Sequence, residues 1–133
     1  MNAVDTNVLI YVYDGSSREK RDRARSLLSE LSPGILLWQV ACEFIAASRK
    51  TLEAGSDLNV AWDRLAELRA VFPIATPTEA ALDAARSIHT ETGAHYWDCM
   101  LFAACIEAGV KRLYSEDLPG APIKGLEIVN PFA

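Results

Sequence analysis

Residues 1–14 read MNAVDTNVLIYVYD, and Asp5 interrupts an apolar run, with Ala3 and Val4 before it and Val8, Leu9 and Ile10 after it. The pair Ala3-Val4 reads as the end of a short strand, and residues 7–13 read as a helix. An ionised carboxylate at the edge of a core is costly unless something compensates it. Asp5 therefore marks either a structural cap or a chemical site, and the rest of the chain has to decide between them.

Outward from that strand–helix unit, the pattern repeats. Short β-like runs, ILLW at 35–38, FPIA at 72–75, RLYS at 112–115 and LEIV at 126–129, alternate with helical patterns over 17–31, 39–53, 57–71, 78–92 and 97–109. Leu27, Leu28 and Leu31 form one helical stripe, Val60, Leu65, Leu68 and Val71 a second, and Ala81, Leu82, Ala85 and Ile88 a third. Gly93 and Gly109 fall where helices should stop, and Thr78 with Glu79 reads as a helix start. Strands alternating with helices predict an α/β fold, with a mostly parallel central sheet flanked by helices on both faces. With 133 residues and no internal repeat or linker, the chain reads as one domain over 1–133.

Half of the residues are hydrophobic and 23% are charged, the composition of a globular protein. The formal net charge of -5 argues against a general nucleic-acid coat but leaves room for contact through local patches or bound cations. Cys42, Cys99 and Cys105 lack metal-ligand spacing and sit in apolar segments, so they are expected to be reduced core residues of a cytosolic protein. No segment approaches the roughly 20 apolar residues of a membrane span, and no basic region precedes the first apolar stretch. A cytoplasmic protein is expected.

In open parallel sheets, sites form at the carboxyl ends of the strands. Asp5 follows the first strand, Glu43 lies on the helix after ILLW, Asp98 starts the helix before RLYS, and Asp117 lies two residues beyond RLYS. The topology would bring all four acids to one edge. Each also has a structural reading. Asp5 and Asp98 would serve as helix N-caps, Asp117 would brace the turn before Pro119-Gly120, and Glu43, beside Val40, Phe44 and Ala47, would pair with a buried base. Crowding weighs against four separate explanations. Two carboxylates about 4 Å apart repel by about 4 kcal/mol at an effective dielectric of about 20, and several such pairs would rival a domain's stability of about 5–15 kcal/mol. Such a cluster must hold protons or a cation. Oxygen ligands alone favour Mg²⁺ or Mn²⁺ over zinc, and His89 and His95 read as surface or helix-end residues.

Together, VDTNVLIY, ACEF, YWDCMLFAACIEAG and LYSEDL resemble the four acidic motifs of PIN-domain nucleases, and with the ending GLEIVNPF the whole chain is similar to VapC-type toxins of prokaryotic toxin–antitoxin pairs. The resemblance implies an endoribonuclease in which Asp5, Glu43, Asp98 and Asp117 hold one or two Mg²⁺ or Mn²⁺ ions, leaving 5′-phosphate and 3′-hydroxyl ends. It implies a cognate antitoxin whose basic segment covers the site, and a homodimer. Ser115 and Asn7 would orient the metal-holding acids.

Substrate contact is the least marked feature. Arg18, Lys20, Arg21, Arg23 and Arg25 form a basic run suited to RNA phosphates or, alternatively, a solvated helix face. Trp38, Trp62 and Trp97 are expected in the core, with base stacking as the alternative. Two other functions remain open at the level of sequence. A haloacid-dehalogenase-like phosphatase also places an aspartate after its first strand, but it usually carries a second aspartate where this chain has Asn7. A non-enzymatic interaction domain would use the acids for metal binding alone.

Overall fold

The computed structural model describes residues 1–51 and 58–133. Strand β1 (Asn2–Val4) leads after one residue into α1 (Thr6–Tyr13), followed by α2 (Arg18–Glu30), β2 (Leu36–Leu37), α3 (Trp38–Thr51), α4 (Asn59–Val71), β3 (Ile74–Ala75), α5 (Ala80–Thr92), α6 (Tyr96–Glu107), β4 (Arg112–Tyr114) and β5 (Glu127–Val129). Among the described residues, β1 pairs with β4, β4 with β5 and β2 with β3, all parallel. The Asn2 amide donates to the Pro33 carbonyl and the Ile35 amide to the Asn2 carbonyl, each at 3.0 Å, which joins the two ladders. The spatial order is therefore β3, β2, β1, β4, β5, with β1 central. This is the α/β architecture the alternating pattern predicts.

Apolar burial holds the layers together. Leu9, Leu37, Phe44 and Leu113 come from α1, β2, α3 and β4 and are fully buried in one core. Burying each such side chain contributes about 1.5–3 kcal/mol. The middle of α6 is buried nearly all round, through Cys99, Leu101, Phe102, Ala103, Ala104 and Cys105, as its apolar composition predicts, while both ends of the helix are exposed. Gly93 closes α5 in the left-handed region at φ 69°, where its amide caps the His89 carbonyl at 2.9 Å.

Several expectations need correction. The strands are shorter than their apolar runs because helices begin or end inside them: Trp38 opens α3, and Phe72 is the C-cap of α4. Two helical stripes keep their central residues buried but are narrower than expected. The buried face of α4 is Ala61, Leu65 and Leu68, so Val60 and Val71 are exposed. That of α5 is Ala81, Ala85 and Ile88, so Leu82 is exposed. Trp38, Trp62 and Trp97 are 52%, 53% and 55% exposed, not core residues. Cys42 is exposed on α3, next to the buried Ala41 but turned about 100° from it around the helix, whereas Cys99 and Cys105 are buried as expected.

Helix α5 starts at Ala80 with Glu79 as a cap residue that makes no side-chain cap bond. The Thr78 amide and hydroxyl instead donate to Glu107 of α6, at 2.6 and 2.8 Å. Positions 52, 53 and 57 of the expected helices 39–53 and 57–71 lie outside the described residues. Among the described residues, no helix is long and apolar enough to cross a membrane.

Candidate active site

Parallel register builds the strand side of the site. Val4 pairs with Tyr114, so the next residues along the two strands, Asp5 and Ser115, lie side by side at the carboxyl ends. The Asp5 amide extends the ladder to the Tyr114 carbonyl at 2.8 Å, and the Ser115 amide donates to Val129 at 2.9 Å. Asp5 then caps α1. Its Oδ1 accepts from the Thr6 amide at 2.7 Å, and its Oδ2 accepts from the Ser115 hydroxyl at 2.9 Å. Asn7 ties the same corner together, donating from Nδ2 to Ser115 Oγ at 3.3 Å and to Asp117 Oδ2 at 3.4 Å. Its Oδ1 accepts from the Glu116 amide at 3.2 Å.

The helix side follows from the abrupt β2–α3 junction. Val40 and Phe44 anchor α3 in the core, which leaves Glu43 half-buried at the cavity wall. Among the described residues, Glu43 has no basic partner. Its oxygens accept from the Thr6 hydroxyl and from Gln39 Nε2, both at 3.0 Å. Gln39 also donates to the Trp97 carbonyl at 3.1 Å, linking α3 to the first turn of α6 beside Asp98. Asp98 is exposed and is not the cap of α6. That role belongs to His95, whose ring nitrogen accepts from the Trp97 amide at 3.3 Å.

Asp5, Glu43, Asp98 and Asp117 all line one open cavity of about 460 Å³, together with Thr6, Asn7, Tyr11, Asp14 and Gln39. Burial pushes the Asp5 carboxyl above its usual range. The Thr6 and Ser115 bonds pull it down, and the charges on Glu43 and Asp98 push it up again. Behind it, burial and the Asp5 charge push the Cys105 thiol up to about 12, so this cysteine stays protonated. Among the described residues, no three acids are drawn together into a ready-made cation cage. The acids border the cavity instead. Their donor set is all oxygen, with a carboxylate at its inner edge whose charge is penalised by burial and by two neighbours, and this fits a hard divalent cation that keeps several of its waters.

Sequence reasoning missed Thr6, Gln39 and Asp14. A signal existed for Gln39, which stands one helical turn before Glu43. None existed for the Thr6–Glu43 bond, which joins residues 37 positions apart. The basic run lies elsewhere. Arg18, Lys20, Arg21 and Arg25 are absent from the cavity lining. Lys20 pairs with Glu116, Arg25 Nε donates to the Val12 carbonyl at 2.9 Å, and Arg23 Nε donates to the Pro131 carbonyl at 3.0 Å.

The family model described as PIN domain matches residues 3–118. No curated protein matches the chain by sequence. Among solved structures, the chain is similar to a protein of a toxin–antitoxin complex from Klebsiella pneumoniae, at 18% identity over 98% of both chains and a TM-score of 0.73. It is similar to FitAcB from Neisseria gonorrhoeae, at 20% identity over 99% of both chains and a TM-score of 0.73. It is also similar to VapC20 of Mycobacterium tuberculosis, a sarcin–ricin-loop-cleaving toxin, at 18% identity over 88% of this chain and 90% of the other, with a TM-score of 0.68.

Proposed function

This chain belongs to the PIN-domain family, and we propose that it is an endoribonuclease dependent on Mg²⁺ or Mn²⁺ and the toxin of a toxin–antitoxin pair. The observation that carries the reading is the cavity at the carboxyl ends of β1 and β4, lined by Asp5, Glu43, Asp98 and Asp117. These four side chains would hold the cation. Held by these residues, a divalent cation would supply water activation and charge neutralisation for phosphodiester hydrolysis.

The chain's own contribution is orientation. Thr6 and Ser115 fix the two oxygens of Asp5, Thr6 and Gln39 fix those of Glu43, and Asn7 holds Asp117 against the end of β4. Asn7 and Ser115 therefore act through the acids. A phosphatase reading lacks its second acid, since Asn7 stands two residues after Asp5 and has its amide engaged with Ser115, Asp117 and Glu116.

Two features bear on partners. Trp38, Trp97, Met100 and Pro77 line an apolar trough that also borders Gln39 and Glu43. Exposed aromatics next to an acidic cavity suit a protein partner that is apolar along one face and basic at one end, the chemistry we assign to the cognate antitoxin. The toxin–antitoxin setting of the Klebsiella neighbour supports that assignment. A homodimer is proposed from the family resemblance. For RNA, Arg18 and Arg21 of α2 are the basic residues proposed to meet phosphates, with smaller contributions from Lys20 and Arg25, whose side chains also hold α2 in place.

The test is cleavage of single-stranded RNA with and without chelator. EDTA should abolish cleavage and added Mg²⁺ should restore it. Full activity in EDTA would remove the cation from the mechanism.

A further inference from the structure

Glu116 stands between Ser115 and Asp117 but turns the other way. Ser115 and Asp117 face the acidic site, whereas the Glu116 carboxylate reaches α1 and α2. Its Oε2 accepts from the Tyr11 hydroxyl at 2.8 Å, and its Oε1 pairs with Lys20 Nζ. Lys20 also donates to the Tyr11 hydroxyl at 3.2 Å, and its ammonium lies 4.8 Å from the Tyr11 ring centroid and 5.7 Å from that of Phe132. The Tyr11 and Phe132 rings meet edge-on with centroids 5.0 Å apart. Residues of α1, α2, the loop after β4 and the segment after β5 are thus knotted together beside one glutamate.

Asp117 needs such support. It is exposed, on the loop after β4, and its carboxylate is bonded by Asn7 at 3.4 Å, near the limit of a hydrogen bond. Its direction is set by the backbone that precedes it. That backbone is fastened at the Glu116 amide by Asn7 and at the Glu116 side chain by Tyr11 and Lys20. Tyr11 and Asp117 both line the cavity, so the knot reaches its wall through Tyr11.

We infer that Tyr11, Lys20 and Glu116 form a brace that positions Asp117 and thereby sets the affinity of the site for its divalent cation. The inference rests on the cation site proposed above. It gives Lys20 an inward-facing role in addition to any contact with RNA. A site held in its binding geometry before the ligand arrives binds more tightly than one that must be ordered by it.

Charge and positioning predict opposite signs at Lys20, which makes the inference testable. By charge alone, Lys20→Met removes a cation from an acidic neighbourhood and should tighten Mn²⁺ binding, Glu116→Gln should weaken it, and the double variant should return to wild type. By positioning, both single variants weaken Mn²⁺ binding by about tenfold, the double variant is no weaker than either, and Lys20→Arg restores wild-type affinity. Tyr11→Phe, which keeps the ring and loses the hydroxyl, should weaken binding in the same direction by a few-fold and carries the test if Lys20→Met fails to fold.

The measurement is Mn²⁺ titration by calorimetry on the full chain, with melting in EDTA to establish folding. Unchanged or tighter binding by folded Lys20→Met, or unchanged binding by Tyr11→Phe, overturns the brace while leaving the cation site standing. Absence of Mn²⁺ binding by the folded wild type overturns the cation site itself, and the brace with it.

Discussion

On the strand side of the cavity, Asp5 is half-buried, caps α1, and has both oxygens bonded, by the Thr6 amide and by the Ser115 hydroxyl. On the helix side, Asp98 is exposed in the first turn of α6, whose cap is His95. The two aspartates line the same cavity, yet they cost the fold very different amounts. Desolvation penalises the Asp5 charge, and the position is tolerable because two donors and a helix start compensate it. Asp98 carries little desolvation cost and has no part in capping. In the proposed cation site, Asp5 would therefore serve both fold and chemistry, and Asp98 chemistry alone. Substitution separates the two.

The largest expected stability difference between the two sides comes from the supporting residues. Ser115 is 1% exposed, and its hydroxyl donates to Asp5 while accepting from the Asp117 amide at 3.1 Å. Ser115→Ala leaves a buried carboxylate oxygen short of a donor and should cost about 1–3 kcal/mol in chemical denaturation. Gln39→Ala, at the half-exposed helix side, should cost less than about 1 kcal/mol. Equal losses would break the contrast between a buried and an open half.

A smaller effect is expected in the pH dependence of metal-free stability. The folded Asp5 carboxyl titrates above its ordinary value, with burial the largest cause. In the window between the unfolded and folded values the folded chain binds the proton more tightly. Asp5 therefore contributes stability that is fully present below the unfolded value and is lost as pH rises through the folded one. In EDTA, Asp5→Asn should lack this loss, so its melting temperature should gain on that of wild type as pH rises from about 4 to about 7. Parallel melting curves across that range would place Asp5 in an unstrained environment. Asn remains a good cap, so the comparison isolates the charge.

Much of this site's layout is legible in the sequence. A short apolar strand ending in an aspartate, repeated strand–helix alternation and three further acids after strands or at a helix start located the four carboxylates correctly at one edge. Strand-end rules work here because parallel register alone brings Asp5 beside Ser115. Two things were not legible. Stripe width failed at Leu82 and Val60, because one residue's difference rotates a side chain by about 100° and apolar residues flank a narrow buried face. The supporting bonds, Thr6 to Glu43 and Tyr11 to Glu116, link positions 37 and 105 residues apart. No local pattern encodes such pairs. The three tryptophans failed for a related reason: composition favours burying them, while their helix faces turn them outward, Trp38 and Trp97 around a trough beside Glu43 and Trp62 in a separate hollow with Leu65 and Ile74.

Thermal unfolding of wild type, Asp98→Asn and Asp5→Asn, each in EDTA and in Mg²⁺, decides whether the exposed Asp98 and the half-buried Asp5 hold a divalent cation with Glu43 and Asp117. A ligand present at a hundredfold excess over its dissociation constant stabilises a fold by about 2.7 kcal/mol, a shift of several degrees for a chain of this size. Wild type should show that shift, and both variants should lose nearly all of it. In EDTA, Asp98→Asn should melt at or above wild type, since relieved repulsion is not offset by a lost cap. Equal Mg²⁺ shifts in all three proteins would contradict the claim that these aspartates hold the metal.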